Sequence, residues 1–262
     1  MTDPIAAAIH VLTTAEPADK VTLTFAYAAG KATPPEGLPS APPDRPARPA
    51  RPELLPPSRM PNRGVGDPKA KRGGKIALIH AIAHIELNAI DLAWDAVARF
   101  GATLPPDFTA DFMAVARDEA KHFALLNDRL ADFETAYGDL PAHDGLWEAA
   151  EKTAQDPLAR MACLPMVLEA RGLDTTPGTI RRLRGQGDTE TADILATIAE
   201  EEVPHVAAGV RWFEALCAER ALAPIPTFRR ILTETLNITP KPPFNTPARD
   251  AAGMARGYYE GN

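Results

Sequence analysis

The sequence predicts an all-α protein built as a helical bundle, with extra short helices, an extended proline-rich N-terminal arm and an irregular C-terminal tail. Three observations carry that prediction. Long stretches, above all 75–100, run without Gly or Pro and repeat apolar residues at helical spacing. No convincing strand pattern follows residue 75. Of the 27 prolines, 12 lie within 34–68, which confines most helix breaking to one segment.

Taken in order, 4–14 reads as a short helix, and 21–27 (VTLTFAY) stays open between helix and strand because its alternation has no obvious partner. Residues 30–74 form the arm, extended or polyproline-like. The first long helix covers 75–100 and stops at Gly101 before Pro105 and Pro106. A second runs 108–137 to Gly138, a shorter one 146–155, and another 157–171, with Pro157 in the first turn and Gly172 at its end. A small helix occupies 177–184. The last long helix starts at Asp188 or Thr189 and runs to 221, and proline breaks the tail after Pro224. The expected organisation is therefore an N-terminal helical segment over 1–29, the arm over 30–74, the bundle over 75–221 and a tail packing on it over 222–262.

Composition limits the function classes. The chain has 262 residues, 45% of them apolar and 24% charged, enough for a sizeable core. The formal charge is −7, with +6 on 30–75 (ten Lys/Arg, four Asp/Glu), so the remainder carries −7 − 6 = −13. The arm reads as wrapping this acidic body, with Leu54, Leu55 and Met60 as apolar anchors. No apolar run reaches the roughly 18 residues of a membrane span. The start has Asp3 and no basic stretch, so no secretory signal is expected and the expected location is cytoplasmic. Cys163 and Cys217 form no disulfide framework and read as core residues.

Glutamates stand where a core stripe should be. The helical neighbours of Glu86 at three, four, seven and eleven positions are Ile79, Ile82, Ala83, Ala89, Ile90, Ala93 and Val97. Glu119 sits likewise among Phe112, Val115, Ala116, Phe123, Leu126 and Leu130, with His122 three residues on. Glu202 repeats this, with His205 at the same offset, and Glu169 is another inward glutamate. A buried carboxylate must be neutralised, paired or bound to metal. The separation from Glu86 to Glu119 is 33 residues, and from Glu169 to Glu202 again 33. One lone Glu and one Glu-x-x-His per half make the ligand set of a carboxylate-bridged dinuclear centre. Oxygen-rich ligation with one imidazole per metal suits Fe first and Mn second, and Zn less well. Two divalent ions would move the formal charge to −7 + 4 = −3. Asp118 and Glu201, each one residue before a Glu-x-x-His, are placed to accept the free N–H of a ligating His. Pro204 should kink its helix, and a π-bulge at a metal site fits it. His80, His84, His143 and Asp144 read as ordinary polar, turn or cap contacts, and Tyr137 as a helix-end packing residue.

The segments HAIAHIELNAIDLAWDAVARF, ARDEAKHFALLNDRL, YGDLPAHDGLWEAA, EARGLD and EEEVPHVAAGVRWF, with the late FNTPARDAAGM, resemble an uncharacterised bacterial ferritin-like family, a domain of unknown function. The resemblance covers the chain from about residue 46 onward and implies a ferritin-like four-helix bundle. A more distant similarity is to the di-iron tRNA hydroxylase that acts on isopentenyl-type modified adenosine. Here Glu201 stands where that pattern has Asp, and Pro204 is unusual in it; neither removes a ligand.

The expected function is a di-iron carboxylate oxidoreductase, an O₂-dependent hydroxylase or monooxygenase, with the metal ligands as the only assigned catalytic machinery. Its substrate would be a small molecule or modified nucleoside, and it would need an external electron donor, since no flavin or nicotinamide fingerprint is present. Two alternatives stay open: an iron-handling or peroxide-scavenging ferritin-like protein, and a non-enzymatic metal-stabilised scaffold. A homo-oligomer is compatible with all three. Arg45, Arg48, Arg51, Arg59 and Arg63 could contact tRNA phosphates; the simpler reading pairs them with the chain's own acidic surface.

Overall fold

A computed structural model of the chain describes residues 3–56, 59 and 68–260. It is an all-α helical bundle fold, and its β-type pairing among the described residues is one isolated parallel bridge, Leu54 with Ala142. The chain forms two compact units, Met1–Glu148 and Ala149–Asn262.

The first unit contains α1 (Pro4–Thr13), α2 (Pro17–Ala28), α3 (Pro68–Phe100) and α4 (Pro106–Ala131). Asp3 caps α1 by accepting from the Ile5 amide, and Pro4 takes the first-turn position that needs no donor. The segment left open between helix and strand is helix α2. Lys20, Thr24 and Tyr27, spaced four and three residues, are its buried face. Thr24 Oγ1 accepts from the Trp94 indole at 2.9 Å, so the face is stitched to α3. The helix α3 begins at Pro68, earlier than expected, and pairs with α4 through a short turn. That turn requires glycine: a Cβ on Gly101 would lie 2.6 Å from the Val97 carbonyl oxygen and 2.9 Å from Ile5 Cδ1.

The helix α4 ends at Ala131, not at 137. Glu134 adopts a left-handed φ of 56°, and the chain turns so that Tyr137 stacks on the His80 ring at 5.3 Å and meets Phe123 edge-on. Continuing the helix would have forfeited these aromatic contacts, each worth roughly 0.5–1.5 kcal/mol.

The arm lies along this unit. Ala47 N donates to the Leu12 carbonyl, Arg99 to the Pro43 carbonyl, and Arg48 to Asn88 Oδ1 at 2.8 Å. Arg45 pairs with Asp144, and Arg48 with Asp91. Leu54 is not the apolar anchor the sequence assigns, since it is 41% exposed. Backbone bonds hold the arm there: Leu55 N to Ala142 O, and Ala142 N to Glu53 O. Met60 and Arg63 lie outside the described residues.

The second unit contains α6 (Pro157–Cys163), a π-helical segment (Leu164–Glu169), α7 (Ala170–Gly185), α8 (Thr189–Glu219), α9 (Pro224–Ile231), a second π segment (Leu232–Leu236) and α10 (Thr246–Ala251). The short α5 (Gly145–Lys152) bridges the boundary in sequence. Gly172 and Pro177 do not end a helix: α7 continues through both. Pro177 removes the donor to the Leu173 carbonyl, and the Asn245 side-chain amide replaces it at 3.0 Å. The tail is more helical than expected, and it is tied down by a buried fork. Arg249 Nε and Nη2 reach Asp174 Oδ1 and Oδ2 at 2.9 and 2.7 Å, while its guanidinium plane lies over the Tyr259 ring at 4.5 Å.

Candidate metal centre

The two long helices of the first unit carry the residues that hydropathy alone would exclude from a core. Glu86 on α3 and Glu119 and His122 on α4 are 4%, 0% and 0% exposed. Their apolar neighbours Ile79, Ala83, Ile90, Phe112, Val115 and Phe123 are buried with them. His122 Nδ1 lies 3.3 Å from Glu86 Oε2 and 3.3 Å from Glu119 Oε2. One ligand atom from each of the three residues falls within 4.8 Å of the others. Burial by itself would lower the His122 pKa. Hydrogen bonds to Glu119 and then Glu86, with their negative charges, outweigh it and push it up to about 11. The protonated imidazole thus neutralises part of the carboxylate charge when no cation is bound.

The donor set fits a metal. Two carboxylates and an imidazole converge in an apolar environment, and carboxylate oxygens with an imidazole nitrogen are ordinary metal ligands. This buried Glu/His group could bind a metal ion.

In the second unit, α8 presents Glu202 and His205 together, both buried, with His205 Nδ1 3.4 Å from Glu202 Oε2. Pro204 does not turn His205 away. The helix runs on through it, and both Pro204 and Glu200, whose carbonyl loses its donor, are exposed where water can serve that carbonyl. The π-helical turn sits elsewhere than at Pro204: it spans Leu164–Glu169 and delivers Glu169, half-buried, at its last position. Pro165 in that turn lies against α8 at Gly209, where a Cβ would come within 2.4 Å of Pro165 Cβ. The glycine lets the Glu169-bearing segment approach the helix that carries Glu202. Asp118 is half-buried and accepts from Arg117 Nε and Nη2; Glu201 is half-buried.

His84 and His143 make polar and turn contacts, as the sequence reading has them, while Tyr137 packs outside the helix and not at its end. His84 donates from Nε2 to the His143 carbonyl and accepts from the Tyr137 hydroxyl on Nδ1 at 2.8 Å. His143 Nδ1 accepts from the Gly145 amide. Burial raises both thiols, Cys163 to about 12, which disfavours a nucleophilic thiolate.

Sequence reasoning missed a second polar stripe on α3. His84, Asn88, Asp91 and Asp95, spaced four, three and four residues, are all buried. The spacing was visible, but a polar stripe on a helix ordinarily marks its solvated side.

A family model described as protein of unknown function (DUF455) matches residues 13–260. An uncharacterized protein of Haemophilus influenzae is 40% identical over 211 residues, covering 78% of this chain and 72% of its own length. No solved structure matches the chain.

Proposed function

The chain belongs to the DUF455 family of proteins of unknown function, and we propose that it is a ferritin-like di-iron carboxylate oxidoreductase. The proposed ligands are Glu86, Glu119, His122, Glu169, Glu202 and His205, one lone Glu and one Glu-x-x-His from each half of the sequence. The observation that carries this reading is the convergence of Glu86, Glu119 and His122, two carboxylates and an imidazole at nearly zero exposure. The equal 33-residue separations and the buried Glu202–His205 pair support its extension to a second half.

Bound iron would supply O₂ activation for hydroxylation or monooxygenation, drawing electrons from a separate reductase. The carboxylates would hold the cations and neutralise their charge. His122 and His205 would each offer one imidazole nitrogen, with Asp118 and Glu201 proposed to orient ligating histidines. Ile79, Ile90, Phe112 and Phe123 exclude water from the first half of the set.

Elemental analysis after anaerobic Fe(II) loading tests the reading. Two Fe per chain, and clear loss of metal in Glu119→Ala, are expected. Purified protein without stoichiometric Fe or Mn, or Glu119→Ala with unchanged metal content, would overturn it. Dioxygen release from peroxide by the Mn-loaded protein would instead support the peroxide-scavenging alternative.

A further inference from the structure

The second unit holds a cleft of about 490 Å³ that the metal reading does not use. One wall is the π-helical segment and the first turn of α7, contributing Met166, Val167, Leu168 and Arg171. The facing wall is the chain between the second π segment and α10, with Ile238, Lys241 and Phe244. Its volume lies within the range of small-molecule sites, and its walls are mostly apolar. Ile238 is 36% exposed at this wall.

The polar groups in the cleft do not balance. Among the described residues Asp174 is the one acid lining it, and Arg249 takes both of its oxygens. Arg171 spends Nη1 on the carbonyls of Lys241 and Pro243, at 2.8 and 3.2 Å, which fastens the facing wall. Nη1 also lies 3.6 Å from Asp174 Oδ2. The Nε and Nη2 of Arg171 make no hydrogen bond with the described residues, nor does the Lys241 ammonium. Two cationic donors therefore remain at an apolar cleft whose acid is already neutralised. An adjoining cavity of about 240 Å³ shares Ile238, Thr239 and Pro240 with it. Tyr259 lines that cavity at 3% exposure, and its hydroxyl has no hydrogen-bond partner among the described residues.

We infer that the cleft binds an apolar carboxylic acid, its chain against Met166, Leu168, Ile238 and Phe244 and its carboxylate on the Nε–Nη2 edge of Arg171 and the Lys241 ammonium. A guanidinium edge matches the two oxygens of a carboxylate in a bidentate pair. The site stands on the cleft alone and does not depend on the metal reading.

Calorimetric titration of the full chain with decanoate, decanol and decyl phosphate tests it. Decanoate should bind one per chain and at least about tenfold tighter than decanol, a factor that one charge-assisted hydrogen bond supplies. Lys241→Gln should weaken decanoate severalfold and leave decanol unchanged, and Arg171→Lys should weaken decanoate severalfold; Lys241 is exposed, so the first variant keeps the fold. Decanoate binding no tighter than decanol, or unaltered in both variants, would overturn the site. Decyl phosphate binding tenfold tighter than decanoate would overturn the carboxylate assignment.

Discussion

Asp91 is fully buried with a cation on each oxygen: Lys20 Nζ at 2.6 Å and Arg48 Nη2 at 2.9 Å. Burial lowers the Lys20 pKa, and the Asp91 charge and hydrogen bond act against that shift. Removing one member of such a set leaves a buried charge uncompensated, so Asp91→Ala should cost about 3–5 kcal/mol. A urea midpoint close to wild type would contradict this. His80 offers a pH signature. Burial lowers its pKa, with the Asp139 charge opposing, and its Nε2 accepts from the Gly138 amide at 2.9 Å. The unfolded chain therefore takes up a proton below about pH 6.5 more readily than the folded one. This contribution is fully present above pH 6.5 and is lost as pH falls through the lowered folded value. Urea titrations at pH 7, 6 and 5 should show this decline reduced in His80→Gln. At this scale the glutamates were legible because each interrupts an apolar stripe. Asp91 was not, because its cations come from residues 71 and 43 positions away, and no local pattern pairs them.

Among the elements, the turn at Leu164–Glu169 and the unbroken α7 depended on contacts distant in sequence. Pro177 at the helix interior would normally end or kink a helix at a cost of about 3 kcal/mol. Asn245, in the FNTPARDAAGM signature, donates to the carbonyl that Pro177 strands, and its backbone amide donates to Asp174. Asn245→Ala should therefore destabilise by about 1–2 kcal/mol and raise hydrogen exchange on α7 near residue 177. Unchanged exchange there would refute the link. Gly209→Ala should cost about 1–3 kcal/mol, because a Cβ 2.4 Å from Pro165 forces the π turn away from α8. Thermal unfolding checks the cost. Helix starts were readable from the first-turn Pro157 and from Asp188, since capping is local. The end of α4 was not, because Tyr137 leaves the helix for partners on α3.

At the scale of the whole molecule, the arm uses Arg45 and Arg48 against Asp144 and Asp91 of its own unit, so part of the +6 is spent internally. The 73–100 stretch of α3 is long and apolar enough to cross a membrane, against the expectation that no run reaches that length, and most of its apolar part is buried inside the protein. A centre that binds metal only when folded should raise stability by mass action. At one hundred times Kd, Fe(II) should add about 2.7 kcal/mol, seen as a higher Tm that falls on chelation and is absent in Glu119→Ala. A Tm insensitive to Fe(II) and Mn(II) would count against a folded-state site.

The sequence by itself determined the helical class, most long-helix starts and the burial of Glu86, Glu119, His122, Glu202 and His205, because helix periodicity and capping act within a few residues. Tertiary structure decided that 17–28 is helix, that α4 stops at Ala131, that α7 survives Pro177, and that the second polar stripe of α3 is covered. Each of those outcomes is set by a partner far away in the chain: Trp94 for Thr24, His80 for Tyr137, Asn245 for Leu173, Lys20 and Arg48 for Asp91. Local energies of a few tenths of a kcal/mol per residue yield to such contacts, whose worth is about 1 kcal/mol or more each.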